Sequence, residues 1–438
     1  MIRTLFQNQK EKVESELLSF IQNKQFFSNL LFFLTLLFLP TQFGLHTWPF
    51  FAFVSGLRID YLSPAFYLTD ISIFLLFVFS WKRFFAHILI PFFFLVLFLV
   101  IGIFLSVNPL VGWWGLVKFC EFIFFGWFVV KQEDSSRYLR ICFFCGILFE
   151  SVLALLQFFR QSSLGGVFYC FGERSFTGTT PGVANASING QLLVRPYGTF
   201  SHPNVLAGYL LITTLFLFIR FLQSKHILYL FTIILGTIAL FVTLSRTAIL
   251  LWIISLPLIM LWEHKKKIMS ILFSSLCFLF FILLIIFSSV LYGRFFSIFS
   301  DSEDISLRLQ LGKAAFSMIA QHPLFGVGLN NFLPNLPYYV HQVSFAQLQP
   351  VHNIFLFIAA ETGIIGGILF CLLFIFAFRS IVVNYILDKS FYLWVGISLS
   401  TIILIGQIDH YFVTLQQGQL LFALIIGASF ANKKNMIQ

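Results

Sequence analysis

The sequence predicts an all-α polytopic membrane protein of about twelve transmembrane helices. Hydrophobic residues make up 59% of the 438, mean hydropathy is +0.93, and only 10% are charged, against about 25% in a soluble protein. Apolar runs of spanning length recur along the whole chain with short polar gaps. Backbone polar groups in lipid must bond within their own segment, so helices are the element expected from such runs. Disordered, coiled-coil, disulfide-scaffold and single-span readings are excluded together.

Taken in order, the runs place crossings near 28–41, 65–81, 86–106, 112–130, 138–159, 204–222, 227–245, 247–262, 268–291, 352–378, 391–408 and 411–431. Residues 1–27 read as a cytoplasmic N-terminal segment, and 28–438 as a single membrane domain with two long outer loops, 160–203 and 292–351. Eighteen of the 27 Lys and Arg fall on the side of the termini. Eight lie opposite, in longer loops: Arg58, Arg160, Arg174, Arg195, Arg246, Arg294, Arg308 and Lys313. Positive residues are retained inside, so both termini are expected in the cytoplasm and the membrane is expected to be the cytoplasmic (inner) one.

The net charge of +10 therefore marks topology, not nucleic acid. Five of the six cysteines lie in apolar stretches, so no disulfide framework is expected, and Cys142-x-x-Cys145 reads as packing. The N-terminus has no short apolar core followed by a small-residue cleavage site, which argues against a removable signal peptide. No nucleotide-binding, dinucleotide-binding or zinc-protease string occurs, and no cofactor is expected. Asp301, Glu303 and Asp304 lack the spacing of a calcium loop, so no metal is expected either.

Long ordered loops carry function more often than short ones, and here the outer charges concentrate there. Glu303 to about Gln321 has helical spacing, with Leu307, Leu311, Ala314, Ala315 and Met318 on one face. His322-Pro323 ends it, and its length and one-sided charge suit the membrane interface plane. Arg308 lies near its positive end, a favourable place for phosphate, although a snorkelling arginine fits equally. Arg246 sits at the outer junction of two apolar runs, where a charge must be paired, snorkelled or functional. His352 opens a long span with Asn353 beside it; a neutral imidazole there can accept a proton from a hydroxyl. Glu361 lies deeper in that span and is a candidate because ionisable groups in lipid are costly. Lys118 and Glu121 have the spacing of an internal pair. Arginines plus one imidazole at an outer rim suggest a site for a lipid-borne anion, since guanidinium binds phosphate in bidentate fashion.

Four blocks in order, RPYGTFSHPNVLAGYL (195–210), SRTA (245–248), SLRLQLGKAAFSMIAQHPLFGVGLNNF (306–332) and HNIFLFIAAETGIIGG (352–367), resemble those of the O-antigen ligase and O-antigen polymerase superfamily. The resemblance implies a glycosyltransferase of the GT-C type, inverting and metal-independent. Such an enzyme moves a glycan from undecaprenyl diphosphate to a glycan, lipid or protein acceptor on the periplasmic or extracellular face. It implies Arg246 and Arg308 as donor diphosphate-binding residues and His352 as the catalytic base; Arg195 is read as a further donor diphosphate-binding residue, and Asn353 and Glu361 as supporting residues. Thr247 stands where many members have glycine, and the 160–203 loop has no assigned role. A polysaccharide polymerase and a protein O-oligosaccharyltransferase share the same chemistry. A transporter or lipid flippase is the alternative from another class, but no convincing internal repeat is present. A non-catalytic membrane scaffold also remains open.

Overall fold

The computed structural model describes residues 24–132, 135–188, 191–263, 302–340 and 348–432. The expected 268–291 crossing, Asp301, and residues 1–23 of the expected N-terminal segment lie outside them. Helix α1 spans Lys24–Leu37. It is followed by α2 (Leu68–Phe104), α3 (Pro109–Lys131), α4 (Ser135–Arg160), α5 (Pro203–Ser224), α6 (Ile227–Val242) and α7 (Arg246–Glu263). The second half adds α8 (Ser302–Gln321), α9 (Phe332–Asn335), α10 (Ile354–Asn384), α11 (Lys389–Gly406), α12 (Tyr411–Thr414) and α13 (Gln416–Phe430).

Among the described residues five helices, α3, α4, α5, α10 and α11, are individually long and apolar enough to cross a membrane. The 65–81 and 86–106 runs form the two halves of α2, bent by 108° between Leu68–Ala86 and Ile90–Phe104, and together they make a sixth candidate. The count of twelve therefore does not carry over directly, because apolar runs were counted without regard to where helices stop. Lys225 and Leu244, both in left-handed conformation, end α5 and follow α6, leaving α6 at only 16 residues.

The centre of the bundle is α5, apolar around its whole circumference and buried along nearly its full length. Pro203 opens it at the first helical position, where no N–H is needed, and His202 caps it, Nδ1 accepting from Asn204 N at 3.1 Å. The α3–α13 crossing is built on small residues. A Cβ on Gly427 would collide with Gly126 O, and one on Gly126 would lie 3.3 Å from Ala423 O.

The all-α expectation misses three short antiparallel ladders: β1 (Gly44–His46) with β4 (Ala65–Tyr67), β2 (Phe53–Val54) with β3 (Leu57–Arg58), and β5 (Asn185–Ile188) with β6 (Gln191–Val194). All three lie in connections, where two-stranded pairs satisfy backbone groups that no helix takes up. The predicted amphipathic helix is present as α8. Its face of Leu311, Ala314, Ala315 and Met318 is buried on Ala52, Val54, Ile59 and Leu62 and on Leu333 and Leu336. That face is turned to protein, because the 44–67 segment supplies an apolar partner.

Candidate functional site

A cavity of about 2300 Å³ opens at the N-terminal end of α5. Arg195, Arg246, Arg308, His352 and Glu361 all contribute to its wall, so the structure brings together five residues drawn from four separate blocks.

The first block is held by α4. Gln157 Oε1 accepts from Tyr197 N (2.9 Å) and Gly198 N (2.8 Å), and Glu150 accepts from Thr199 N (2.9 Å) and from its hydroxyl. Gly198 needs its positive φ of 58°, and a Cβ there would strike Glu150. Glu173 receives Gln157 Nε2 (2.8 Å) and the amides of Leu164 and Gly165 (both 2.7 Å), which fastens the 160–203 loop to the same place. Arg195 is almost fully buried; its Nε donates to Thr243 O and its Nη2 to Asn204 Oδ1, both at 2.7 Å. That geometry makes Arg195 a brace between the start of α5 and the end of α6 on the cavity wall.

Arg246 is the first residue of α7, two residues after left-handed Leu244, and Ser245 N between them donates to Thr243 Oγ1 (3.3 Å). Arg308 is exposed on α8, and its Nη1 reaches Ile408 O at 3.4 Å.

The last two blocks bond directly to each other. Helix α10 breaks at Gly363 (φ 71°, ψ −176°), and the 322–330 loop docks into the break. Ile364 N donates to Pro323 O (2.8 Å), Val327 N to Ala360 O (2.9 Å) and Gly328 N to Glu361 O (3.0 Å). The Glu361 carboxylate accepts from Asn330 N (2.9 Å) and Phe332 N (3.1 Å). Irregular backbone inside a bundle is tolerated where it is satisfied in this way. Asn353 caps α10, accepting from Phe355 N and Leu356 N at 3.0 Å, while its amide donates to Gln407 Oε1 at 2.9 Å. Glu361 belongs to the cavity wall and Asn353 does not.

The sequence reading passed over a group that the fold assembles around His352. Its ring lies 5.2 Å from the His410 ring, centroid to centroid. Asp409, His410, His202 and Asn204 also face the cavity. Asn204 Nδ2 donates to Asp409 Oδ2 at 2.9 Å, and His410 N to Asp409 Oδ1 at 2.8 Å. A chain of contacts thus runs from Arg195 through Asn204 and Asp409 to His410. Burial alone would raise Asp409, but His410, His202, His352 and the Asn204 amide outweigh it and hold the carboxylate below its usual range. Burial dominates at the imidazoles and keeps them neutral, His202 down at about 4 and His410 at about 3. Two signals for this group existed: the SHPN string inside the first block, and an ionisable Asp-His pair in the gap between two apolar runs.

Residues 230–371 match the family model described as O-antigen ligase. The matched stretch includes Arg246, Arg308, His352 and Glu361, whereas Arg195, Asn204 and Asp409 lie outside it. No curated protein gives a significant match to the chain.

Proposed function

With an O-antigen ligase-related segment as the premise, we propose that the protein transfers a glycan from undecaprenyl diphosphate to an acceptor hydroxyl on the outer face of the cytoplasmic membrane. The observation that carries this reading is the convergence of Arg246, Arg308 and His352 on one cavity beside Asp409 and His410. Arg246 and Arg308 hold the diphosphate and neutralise the charge it gains as it leaves. Guanidinium groups fixed in a partly dry site do this without reorganising during the reaction. His352 takes the acceptor hydroxyl proton; the freed oxygen attacks the anomeric carbon from the face opposite the diphosphate. The bond from that carbon to the phosphate oxygen breaks, the configuration inverts, and undecaprenyl diphosphate departs with the electron pair. Positive charge comes from the arginines, so the step needs no metal. Arg195, Asn204 and Asp409 are positioning residues that set the distance between α5 and the histidines.

Arg246→Ala and Arg308→Ala should each lower transfer by about 10²-fold or more, measured with a defined lipid-linked oligosaccharide and mass spectrometry of the products. Near-normal rates in both would remove the diphosphate from this cavity. Lysine at position 308 should restore only part of the rate, because it supplies charge without the bidentate fork. The acceptor separates the ligase from the polymerase reading. Long glycans stranded on undecaprenyl diphosphate in a deletion strain mark a ligase, and single repeat units mark a polymerase.

A further inference from the structure

We propose that the 44–67 segment carries a sugar-binding subsite on the cavity wall, an aromatic and acidic strip that takes a neutral pyranose ring of the glycan. The proposal rests on the glycan-transfer reading but is carried by different residues. The β1–β4 and β2–β3 ladders place His46, Trp48, Asp60, Tyr61 and Tyr67 along one side of the cavity. The His46 ring lies nearly parallel to Trp48 (17°, centroids 6.0 Å apart) and edge-on to Tyr67 (5.7 Å). The Arg58 guanidinium sits 4.3 Å from the Trp48 ring centre, and its Nε is 3.8 Å from the Asp60 carboxylate. At the far end Tyr61 meets the His410 ring edge-on at 5.5 Å, so the strip leads directly to the group around His352.

A pyranose has two kinds of surface, and the strip offers a partner for each. Its C–H faces pack against the negative faces of aromatic rings. Its hydroxyl edges need acceptors and donors, which a carboxylate and a guanidinium supply as charge-assisted hydrogen bonds. Asp60 has 73% of its side-chain surface exposed, so it is open to a ligand. The same negative charge repels a diphosphate, which divides the cavity: anion at Arg246 and Arg308, hydroxyl-rich group at Asp60. The fold does not require His46 or Asp60: the segment is anchored by Ala52, Val54, Ile59 and Leu62, with Trp48 and Tyr61 packed against that core, and neither His46 nor Asp60 belongs to it.

The test reads binding without turnover, by native mass spectrometry of the full chain in nanodiscs. One pair of probes is an undecaprenyl diphosphate-linked tetrasaccharide and bare undecaprenyl diphosphate; the second is lipid A with and without its core oligosaccharide. Wild type should prefer the sugar-bearing member of at least one pair, and Trp48→Ala or Asp60→Asn should reduce that preference about tenfold. Trp48→Phe, which keeps an aromatic face, should retain most of it. The pair affected tells whether donor or acceptor sugar occupies the strip. Equal binding by wild type in both pairs, or variants that keep the preference, overturns the subsite. Transfer with an unaffected preference would leave the reaction standing and remove the strip; a preference lost in the variants without any wild-type transfer would do the reverse.

Discussion

At the scale of single residues, burial decides more than charge does. Asp409 alone would favour protonated neighbours, yet His202 and His410 are held at about 4 and about 3 because both rings are enclosed. In an unfolded chain each would take a proton near 6.5, while the folded protein refuses it until about pH 4 at His202 and about pH 3 at His410. At these two rings the unfolded state binds more protons between those values, so their contribution to stability is full above about pH 6.5 and falls as the solution is acidified toward pH 4. The slope is about 1.4 kcal/mol per pH unit for each ring. Asp409 acts in the same direction but only below its ordinary value of 3.8, so the loss from pH 6.5 to pH 4 belongs to the histidines. In detergent, His410→Gln, which can still bond Thr414, should therefore lose less apparent melting temperature than the wild type between pH 7 and pH 5. An unchanged slope in that variant would take His410 out of the account.

At the scale of elements, the site is set by breaks in helices. The turn at 322–330 fills the gap that Gly363 makes in α10, and it thereby ties Arg308-bearing α8 to the helix that His352 precedes. Alanine at 363 would have to adopt φ 71° and would collide with Leu324 O. Gly363→Ala should lose about 1–3 kcal/mol or more and much of the transfer activity although it touches no substrate. Yield of monodisperse protein and melting temperature check the first effect; product formation at a temperature where the variant stays folded checks the second. These breaks also mark how far sequence could be read. Arg246, Arg308 and His352 were legible because a charge or an imidazole stands out at the edge of an apolar run. The Asn204–Asp409 bond was not, since it joins the start of α5 to the residues after α11, and neither the SHPN string nor the Asp-His pair tells which partner it meets. Arg195 was visible as a charge, but its two hydrogen-bonded partners are visible only in the fold.

For the whole molecule, the question is which way the cavity faces. Lysine and arginine counts put the 44–67, 160–203 and 292–351 segments outside, and the contacts agree among themselves. The 44–67 segment buries α8, α8 reaches Ile408, and the 160–203 loop is fastened beside Arg195. The described residues of all three segments are therefore tied together, and one accessibility measurement orients them. Cys170 is a free, exposed thiol in the 160–203 loop, whereas Cys142 is buried in α4. A membrane-impermeant maleimide applied to intact spheroplasts should label Cys170, and Cys170→Ser should remove that signal. A cysteine placed at Lys225 or Asp388, on the opposite face, should react only after the membrane is permeabilised. If the reverse pattern appeared, the cavity would face the cytosol. A glycan assembled for export would then reach it on the wrong side of the membrane, and Arg246, Arg308 and His352 would need a different substrate.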